Sequence, residues 1–428
     1  MKDFSLNDVK SGFLIFLIAL PLCLGIAMAS SVPPIAGVFT AIVGGIVATF
    51  LGSARLTIKG PAAGLIVIVI GAVQELGQGD LLLGYKRCLA VGAMAAIFQI
   101  IFSRLGAGRV ATLMPHNVIH GMLAAIGVII VAKQIHILLG VVPHSKTPIE
   151  LLEEIPTSLM NANPEILIIG ALTLSMLLLW PLVPSRATKI VPPALIALVV
   201  VLPLALFWHL DASHPYCFWG HHYLVGPKFL VQIPNNILSS ITFPDFSALT
   251  SWVGWKYVAM FALVGSLESL LTVVAIDSLD PKQQKSDLNK DLFAVGVGNL
   301  IASMIGGLPM ISEVVRSKAN IDNGAQSRWS NWVHGACMLI AVSFLTPVIH
   351  EIPLSALAAM LIITGFRLAS PKEFYHAYSM GLDQIAIFMT TLLVTLKVDL
   401  LVGIAAGLCV HFVLNLKPLA FLKKPTQA

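Results

Sequence analysis

Long runs of apolar residues dominate the chain, and short polar segments separate them. A helix needs about 20 mainly apolar residues to cross a bilayer, since the hydrocarbon core is about 30 Å thick. By that measure the pattern predicts fourteen membrane segments, at approximately 12–30, 34–51, 61–75, 85–104, 114–136, 164–182, 191–210, 253–276, 290–306, 309–318, 331–349, 353–369, 382–397 and 399–416.

The third and tenth segments are too short to cross a membrane as simple helices. The third begins at Gly60-Pro61, and the tenth follows Gly306-Gly307 and Pro309. Such interruptions in a membrane protein indicate broken helices, whose free N–H groups and positive dipole ends favour an anion. The sequence therefore predicts a substrate site where these two breaks meet.

The composition supports a polytopic membrane protein. Of 428 residues, 57% are hydrophobic and 11% charged, and the mean hydropathy is +0.89. Soluble domains carry about 25% charged residues. The net charge of +5 is small, so no nucleic-acid partner is expected. The five cysteines show no CxxC spacing, so neither a disulfide framework nor a metal site is predicted.

The distribution of basic residues predicts the orientation. With the N-terminus inside, most of the 26 lysines and arginines fall on the cytoplasmic side. Fourteen spans then place both termini in the cytoplasm and the segment 211–252 outside. A secretory leader is not expected, because Pro21 and Gly25 interrupt the first apolar run and a second run follows at once.

An internal repeat supports the same arrangement. Span 5 contains Pro115, Met122, Leu123 and Gly127, and span 12 contains Pro353, Met360, Leu361 and Gly365 with identical spacing. The short third and tenth spans also lie seven apart. An odd offset gives the two halves opposite orientations, which is the pattern of inverted-repeat transporters. The predicted repeats cover about 10–210 and 250–417.

Glu268 lies inside the apolar span 8, where an ionisable side chain is costly and usually functional. Its carboxylate together with the hydroxyl of Thr272 would suit a bound Na+, whereas a desolvated carboxylate would suit H+. A structural carboxylate paired with a neighbour is the alternative. No other cofactor is expected, and no arrangement of nucleophile, base and acid indicates an enzyme.

Several segments together resemble the SulP family of anion transporters. They are ALPLCLGIAMASSVPPIAGVFTAIVGG in spans 1–2, GPAAGLIVIV in span 3, GSLESLLTVVAIDS in span 8, and GNLIASMIGGLP with the following RSKANIDNGA. Span 8 is similar to that of the cyanobacterial sodium-dependent bicarbonate transporters of this family, which carry aspartate at the position of Glu268. In other members a glutamate there accompanies proton coupling, so the resemblance leaves the coupling ion open.

The resemblance implies an all-α membrane protein of seven plus seven inverted spans, with a core domain that moves against a gate domain. It implies an anion between the facing ends of spans 3 and 10. The substrate-binding residues expected on this basis are Cys23, Gly60, Ala62, Ala63, Ile311, Ser312, Glu313 and Arg316; the ion-coupling residues are Glu268 and Thr272. Residues 1–428 are expected to form one transmembrane domain without the C-terminal STAS domain that most members carry.

Two charged residues depart from the family pattern. Glu313 places a negative charge beside the expected anion site, and Lys59 precedes Gly60-Pro61. We hypothesise that Glu313 is neutralised by Lys59 or Arg316, or is protonated during transport; the alternative is that it faces cytoplasmic water. Ser312 would donate its hydroxyl and Ile311 its backbone N–H to the anion. Arg316 would add positive potential or serve only as a topology signal.

The sequence therefore predicts a secondary transporter of the cell membrane for bicarbonate or sulfate, coupled to Na+ or H+. The alternatives are a carrier of dicarboxylates or nucleobases with the same fold, or an anion channel. The expected partners are the anion and membrane lipid, with a homodimer and a functional partnership with a carbonic anhydrase as further expectations.

Overall fold

The structure is a computed structural model that describes residues 4–108, 115–145, 147–184, 191–234 and 237–416, with the side chains of 415–416 left out. Several basic residues that support the predicted orientation lie outside these ranges, namely Lys2, Arg109, Arg186, Lys189, Lys417, Lys423 and Lys424. The predicted cytoplasmic tail at 417–428 also lies outside them.

Helices make up most of the described chain. They are α1 (Leu6–Ala29), α2 (Ile35–Ile46), α3 (Ala48–Leu51), α4 (Ile66–Gly77), α5 (Leu81–Arg104), α6 (His116–Leu138), α7 (Pro148–Met160), α8 (Pro164–Leu179), α9 (Pro193–Phe207), α10 (Trp252–Leu279), α11 (Leu288–Met304), α12 (Val314–Asp322), α13 (Trp329–Phe344), α14 (Thr346–His350), α15 (Leu354–Leu368), α16 (Pro371–Ser379), α17 (Leu382–Lys397) and α18 (Leu400–Leu416). The strands are β1 (Ile58–Pro61), β2 (His214–Phe218), β3 (His221–Val225) and β4 (Met310–Glu313).

The helices follow the apolar runs closely. Within the described residues, six helices are long and apolar enough to cross a membrane, at Leu6–Ala29, Leu81–Arg104, His116–Leu138, Pro164–Leu182, Trp252–Leu279 and Leu354–Ser379. Shorter apolar helices lie at Ile35–Leu51, Ala63–Gly77, Pro193–Phe207 and Leu400–Leu414. Polar side chains fix several starts: Asp80 accepts from the backbone N–H groups of Leu82 and Leu83 at the start of α5.

The third and tenth segments begin as strands and continue as helices. β1 leads through a 3₁₀ turn at Ala63–Leu65 into α4, and β4 leads directly into α12. The two strands pair antiparallel, with Ile58 opposite Glu313 and Pro61 opposite Met310. The extended backbone thus starts before Gly60-Pro61, earlier than the break that the sequence predicts.

The helices that carry the predicted repeat motif pack against each other. Pro115 and Pro353 occupy the N-cap positions of α6 and α15. A Cβ atom at Gly127 would overlap the carbonyl oxygen of Gly365, and one at Gly365 would lie 2.8 Å from the carbonyl oxygen of Gly127. The matched glycines therefore allow the two backbones to cross in direct contact.

The outer loop predicted at 211–252 contains an antiparallel hairpin. β2 and β3 pair from His214 opposite Val225 to Phe218 opposite His221. Tyr216 donates to the side-chain oxygen of Asn163 at 2.8 Å, which ties the hairpin to the start of α8. These contacts give this part of the chain a defined structure.

Candidate functional site

The paired strands β1 and β4 form the centre of the site. Because side chains alternate along a strand, Ser312 and Glu313 of β4 lie on opposite faces of the ladder, and Lys59 of β1 lies on the face of Ser312. Gly60 lies opposite Ile311, and the N–H of Ala62 donates to the carbonyl oxygen of Pro309 at 3.3 Å. Proline is tolerated in this ladder at its ends, where its missing N–H leaves no internal rung unpaired.

One face of the ladder holds a buried ion pair. The Lys59 amine lies 2.9 Å from Asp291 Oδ1 and 3.1 Å from Oδ2, and the two side chains are only 2% and 1% exposed. The amine also donates to Thr57 Oγ1 at 3.1 Å and Ser312 Oγ at 3.3 Å. The hypothesis that Lys59 neutralises Glu313 is therefore wrong, because Lys59 is paired with Asp291 on α11.

The hydroxyl of Ser312 belongs to this same closed face. It donates to Asp291 Oδ2 at 3.4 Å, while its backbone N–H donates to Ser269 Oγ at 3.1 Å. Ser312 is fully buried and does not line the cavity described below. The expectation that it offers its hydroxyl to an anion does not fit this conformation, because the strand places that hydroxyl behind the backbone.

The opposite face carries the carboxylates of Glu313 and Glu268. Glu313 is half-buried, and its Oε1 accepts from the N–H of Ala63 at 3.4 Å. Glu268 on α10 lies directly over Gly64: a Cβ atom there would overlap both carboxylate oxygens. Its Oε2 is buried and has no hydrogen-bond partner within the described residues. No described ion pair neutralises either carboxylate, so this face is electrostatically incomplete.

A cavity of about 570 Å³ opens beside this face. We call it the central cavity. Its core wall is formed by the start of α4, α10 and the β4–α12 junction, and includes Ala63, Gly64, Glu268, Thr272, Ile311, Glu313 and Val314. Its gate wall is formed by α6 and α15, and includes His116, Ile119, His120, Met122, Leu123, Thr364, Arg367 and Leu368. The start of α6 and the end of α15 meet at this wall, so the two helices run antiparallel.

Arg316 is buried beside the ladder and does not line the central cavity. It is 1% exposed, and its Nη1 donates to Cys23 Sγ at 3.3 Å. A Cβ atom on Gly60 would come within 2.6 Å of the same nitrogen, so a larger residue here would displace the guanidinium. Its Nε has no partner within the described residues. Arg316 is therefore a buried cation beside Gly60 of the strand pair, and not a solvated topology signal.

The structure separates the predicted site residues into two groups. Those that line the central cavity are Ala63, Ile311, Glu313, Glu268 and Thr272. Those that are buried and do not line the cavity are Cys23, Gly60, Ala62, Ser312 and Arg316. The second group supports the ladder, and within this conformation its side chains have no access to a ligand in the cavity.

An amide pair that the sequence analysis did not single out holds β4 in place. Asn299 on α11 accepts from the N–H of Met310 at 2.6 Å and donates to the carbonyl oxygen of Met310 at 3.1 Å. Gln99 on α5 accepts a hydrogen bond from the side-chain nitrogen of Asn299 at 2.9 Å. Polar amides within apolar spans are a usable sequence signal, since such groups must find partners inside the protein.

Asp291 and Arg367 were also missed. Asp291 follows Lys290 at the start of a predicted span, and Arg367 lies near the end of another, so both resemble charges at a membrane surface. Asp291 is in fact 1% exposed, and Arg367 lines the central cavity. Only the packing of separate segments brings Asp291 to Lys59, more than two hundred residues earlier in the chain.

Comparison with known families matches residues 6–391 to the sulfate permease family. A putative sulfate transporter of Bacillus subtilis, YvdB, is 28% identical over 409 residues, which cover 95% of this chain and 73% of that protein. The bicarbonate transporter BicA of Picosynechococcus is 26% identical over 432 residues, which cover 97% of this chain and 71% of that protein.

Solved structures match across nearly the whole chain. The transmembrane domain of a cyanobacterial bicarbonate transporter BicA has a TM-score of 0.77 and 26% identity, and the match covers 94% of this chain and 97% of that one. The overall structure of SLC26A9 has a TM-score of 0.82, covering 97% of this chain and 66% of that one. At 16% identity the second match shows the fold alone.

Proposed function

The chain belongs to the sulfate permease family, and we propose that it transports bicarbonate or sulfate by symport with Na+ or H+. The predictions of the SulP family, of a helical membrane protein and of a transporter rather than an enzyme are confirmed. The count of fourteen spans, the inverted repeats and the missing STAS domain stay predictions.

The observation that supports the proposal is the face of the β1–β4 ladder on which Glu268 and Glu313 have no ion partner among the described residues. Two helices begin beside it, α4 after the turn at Ala63–Leu65 and α12 at Val314. Helix N-termini leave backbone N–H groups without internal partners and carry a partial positive charge. An anion in the central cavity would meet both ends at once, with the buried Arg316 beside Gly60 adding positive potential.

The coupling ion is assigned to Glu268 and Thr272. They lie one helical turn apart on α10, and both line the central cavity. The carboxylate oxygen of Glu268 that lacks a partner would bind either Na+, with the Thr272 hydroxyl as a second oxygen ligand, or a proton. Either cation would offset the negative charge of Glu268 and so favour binding of the anion nearby.

The asymmetry of α6 supports the proposal of alternating access. Its first turns line the central cavity, whereas Lys133, about 20 Å further along the helix, is packed against the end of α1. The Lys133 amine donates to the carbonyl oxygen of Ala29 at 2.7 Å and to Ser31 Oγ at 3.1 Å. Movement of the gate wall would break these bonds and open the opposite side of the site.

A carrier of dicarboxylates is the second candidate. The central cavity, at about 570 Å³, is much larger than a bicarbonate ion, and apolar side chains such as Ile119, Met122 and Leu271 line part of it. An organic anion with a short carbon chain could use both the volume and the apolar wall.

The decisive experiment is uptake into proteoliposomes. Radiolabelled bicarbonate, sulfate and fumarate are offered separately, with the Na+ and pH gradients set independently. We expect saturable, concentrative uptake of an inorganic anion that collapses with one cation gradient. Uptake of fumarate alone would support the second candidate, and uptake that neither saturates nor responds to a gradient would indicate a channel.

We further propose a cell-membrane location with both termini in the cytoplasm, so that the central cavity opens to the cytoplasm. Thiol labelling in intact cells tests this. In a variant whose exposed Cys217 and Cys409 are replaced by alanine, His221→Cys should react with an impermeant reagent and Lys285→Cys should not. The reverse pattern would overturn the orientation. A homodimer and a partnership with a carbonic anhydrase stay predictions.

A further inference from the structure

The charges that line the central cavity pose a problem for an anion carrier. The core wall presents the carboxylates of Glu268 and Glu313, which repel an anion. Arg316 is buried and does not line the cavity. Among the residues that line the cavity, Arg367 on the gate wall carries the only permanent positive charge. The gate wall therefore supplies the cation that the core wall lacks.

The guanidinium of Arg367 is available for a ligand in this conformation. It is exposed, and no hydrogen bond or ion pair engages it within the described residues. By contrast, Arg87 lies 3.4 Å from Asp245, and Arg104 lies over the Phe293 ring. A guanidinium that lines a cavity and has all its donors available is suited to a ligand rather than to a structural contact.

The acidic group nearest in sequence to Arg367 already has another partner. Glu373 Oε2 lies 2.6 Å from His120 Nδ1, at the start of α16. The His120 ring in turn packs against His116, with ring centroids 4.0 Å apart. Both histidines line the gate wall beside Arg367. The His120–Glu373 pair thus holds the carboxylate in place and leaves the arginine available to a ligand.

We propose that Arg367 is a ligand of the transported anion, which it binds from the gate wall while the helix ends of α4 and α12 bind it from the core wall. The ligand class is a small oxyanion, because the planar fork of N–H donors matches two oxygens of a bicarbonate or sulfate ion. This inference rests on the proposed function and adds to it a residue outside the two broken spans. It also gives the anion a direct contact with both walls.

The competing explanation is that Arg367 only interacts with the C-terminal dipole of α15 and marks the cytoplasmic end of the span. That role would be met by any basic residue and would not affect anion affinity. Lys372 provides the matched control, because it is an exposed basic residue five positions further on and does not line the central cavity.

The test compares Arg367→Gln, Arg367→Lys and Lys372→Gln in proteoliposomes with radiolabelled sulfate and bicarbonate. Loss of a hydrogen-bonded charged ligand should raise KM about tenfold or more for Arg367→Gln. Arg367→Lys should recover part of the affinity, since it keeps the charge and loses the bidentate geometry. Lys372→Gln should behave as the wild type, and maximal rates should change less than KM.

A second readout keeps the inference separate from the proposed function. Sulfate and bicarbonate are titrated into detergent-purified protein, and the rise in the thermal unfolding midpoint is measured. Protection of the wild type at anion concentrations that leave Arg367→Gln unprotected supports the ligand role even if no transport is found. Equal protection of both proteins, or an equal KM change in Lys372→Gln, overturns it. Absence of wild-type transport alone counts against the proposed function.

Discussion

The two faces of the β1–β4 ladder differ in how completely their charged groups are satisfied. On the closed face, Lys59 contacts Asp291, Thr57 and Ser312, and almost no surface remains exposed. On the open face, Glu268 and Glu313 have no ion partner within the described residues, and a cavity lies beside them. The same eight residues of backbone separate the two environments.

This difference distinguishes the structural charges from those available for transport. A buried pair with several hydrogen bonds stabilises one arrangement of the strands, and removal of one partner is costly. A carboxylate that lacks a partner can exchange a cation without disturbing the ladder. The departure from the family pattern at Lys59 therefore belongs to the support of the site, whereas the departure at Glu313 belongs to the site itself.

The largest expected effect comes from breaking the closed face. Asp291→Asn keeps the shape of the side chain but leaves the buried Lys59 amine without a counter-charge. We expect a loss of about 3–5 kcal/mol in the free energy of unfolding, because the amine cannot reach water. The unfolding of detergent-purified protein, followed against temperature and denaturant, measures this change.

The matched control removes both charges. The double variant Lys59→Met with Asp291→Leu should recover much of the stability lost in Asp291→Asn, since it leaves no unpaired charge in the interior. If Asp291→Asn is as stable as the wild type, the pair does not support the ladder and the contrast between the two faces fails.

The next effect is on transport rather than on stability. Glu268→Gln keeps the shape of the side chain but removes its negative charge and its ability to exchange a proton. We expect gradient-driven uptake to fall to the level of empty liposomes, with an unfolding midpoint equal to that of the wild type, because Oε2 has no partner to lose. Concentrative uptake at the wild-type rate would mean that Glu268 is structural.

The sequence is informative about elements whose pattern is local. The bounds of α17 coincide with the predicted span 382–397, and those of α10 and α18 lie within a few residues of theirs. Apolar length alone determines such helices in a bilayer. Glu268 was also found locally, since a carboxylate within an apolar run needs an explanation.

The sequence is less informative about which face a side chain occupies. The pattern at 309–318 predicts a broken helix, and a helix there would allow Lys59 and Glu313 to meet. In strands with Ile58 opposite Glu313, alternation sends Lys59 and Glu313 to opposite faces. The partner of Lys59 depends on the packing of α11 against β1, and no local pattern encodes a contact between residues so distant in sequence.

A smaller effect is expected at Gly64, where almost no space remains between the backbone and the Glu268 carboxylate. Gly64→Ala would place a methyl group in the position of the Glu268 carboxylate and displace it. We expect coupled uptake to fall about tenfold while the closed face stays intact, an energy of about 1.4 kcal/mol. Gly265→Ala is the control, because its nearest neighbour would be 3.3 Å away. Equal rates in the two variants would show that the carboxylate can move at no cost.

The smallest effect is expected at Glu313, whose half-buried carboxylate is screened by water in the cavity. Glu313→Gln removes a like charge beside the anion, and a repulsion of about 1 kcal/mol at 4 Å in water corresponds to a roughly fivefold lower KM. The same substitution combined with Lys59→Met should show additive effects, because the ladder separates the two side chains. Uptake rates of the wild type, the two single variants and the double variant are measured across a pH series. Strong recovery of transport in the double variant would mean that the two charges interact during the transport cycle. The two faces of the ladder would then not be independent.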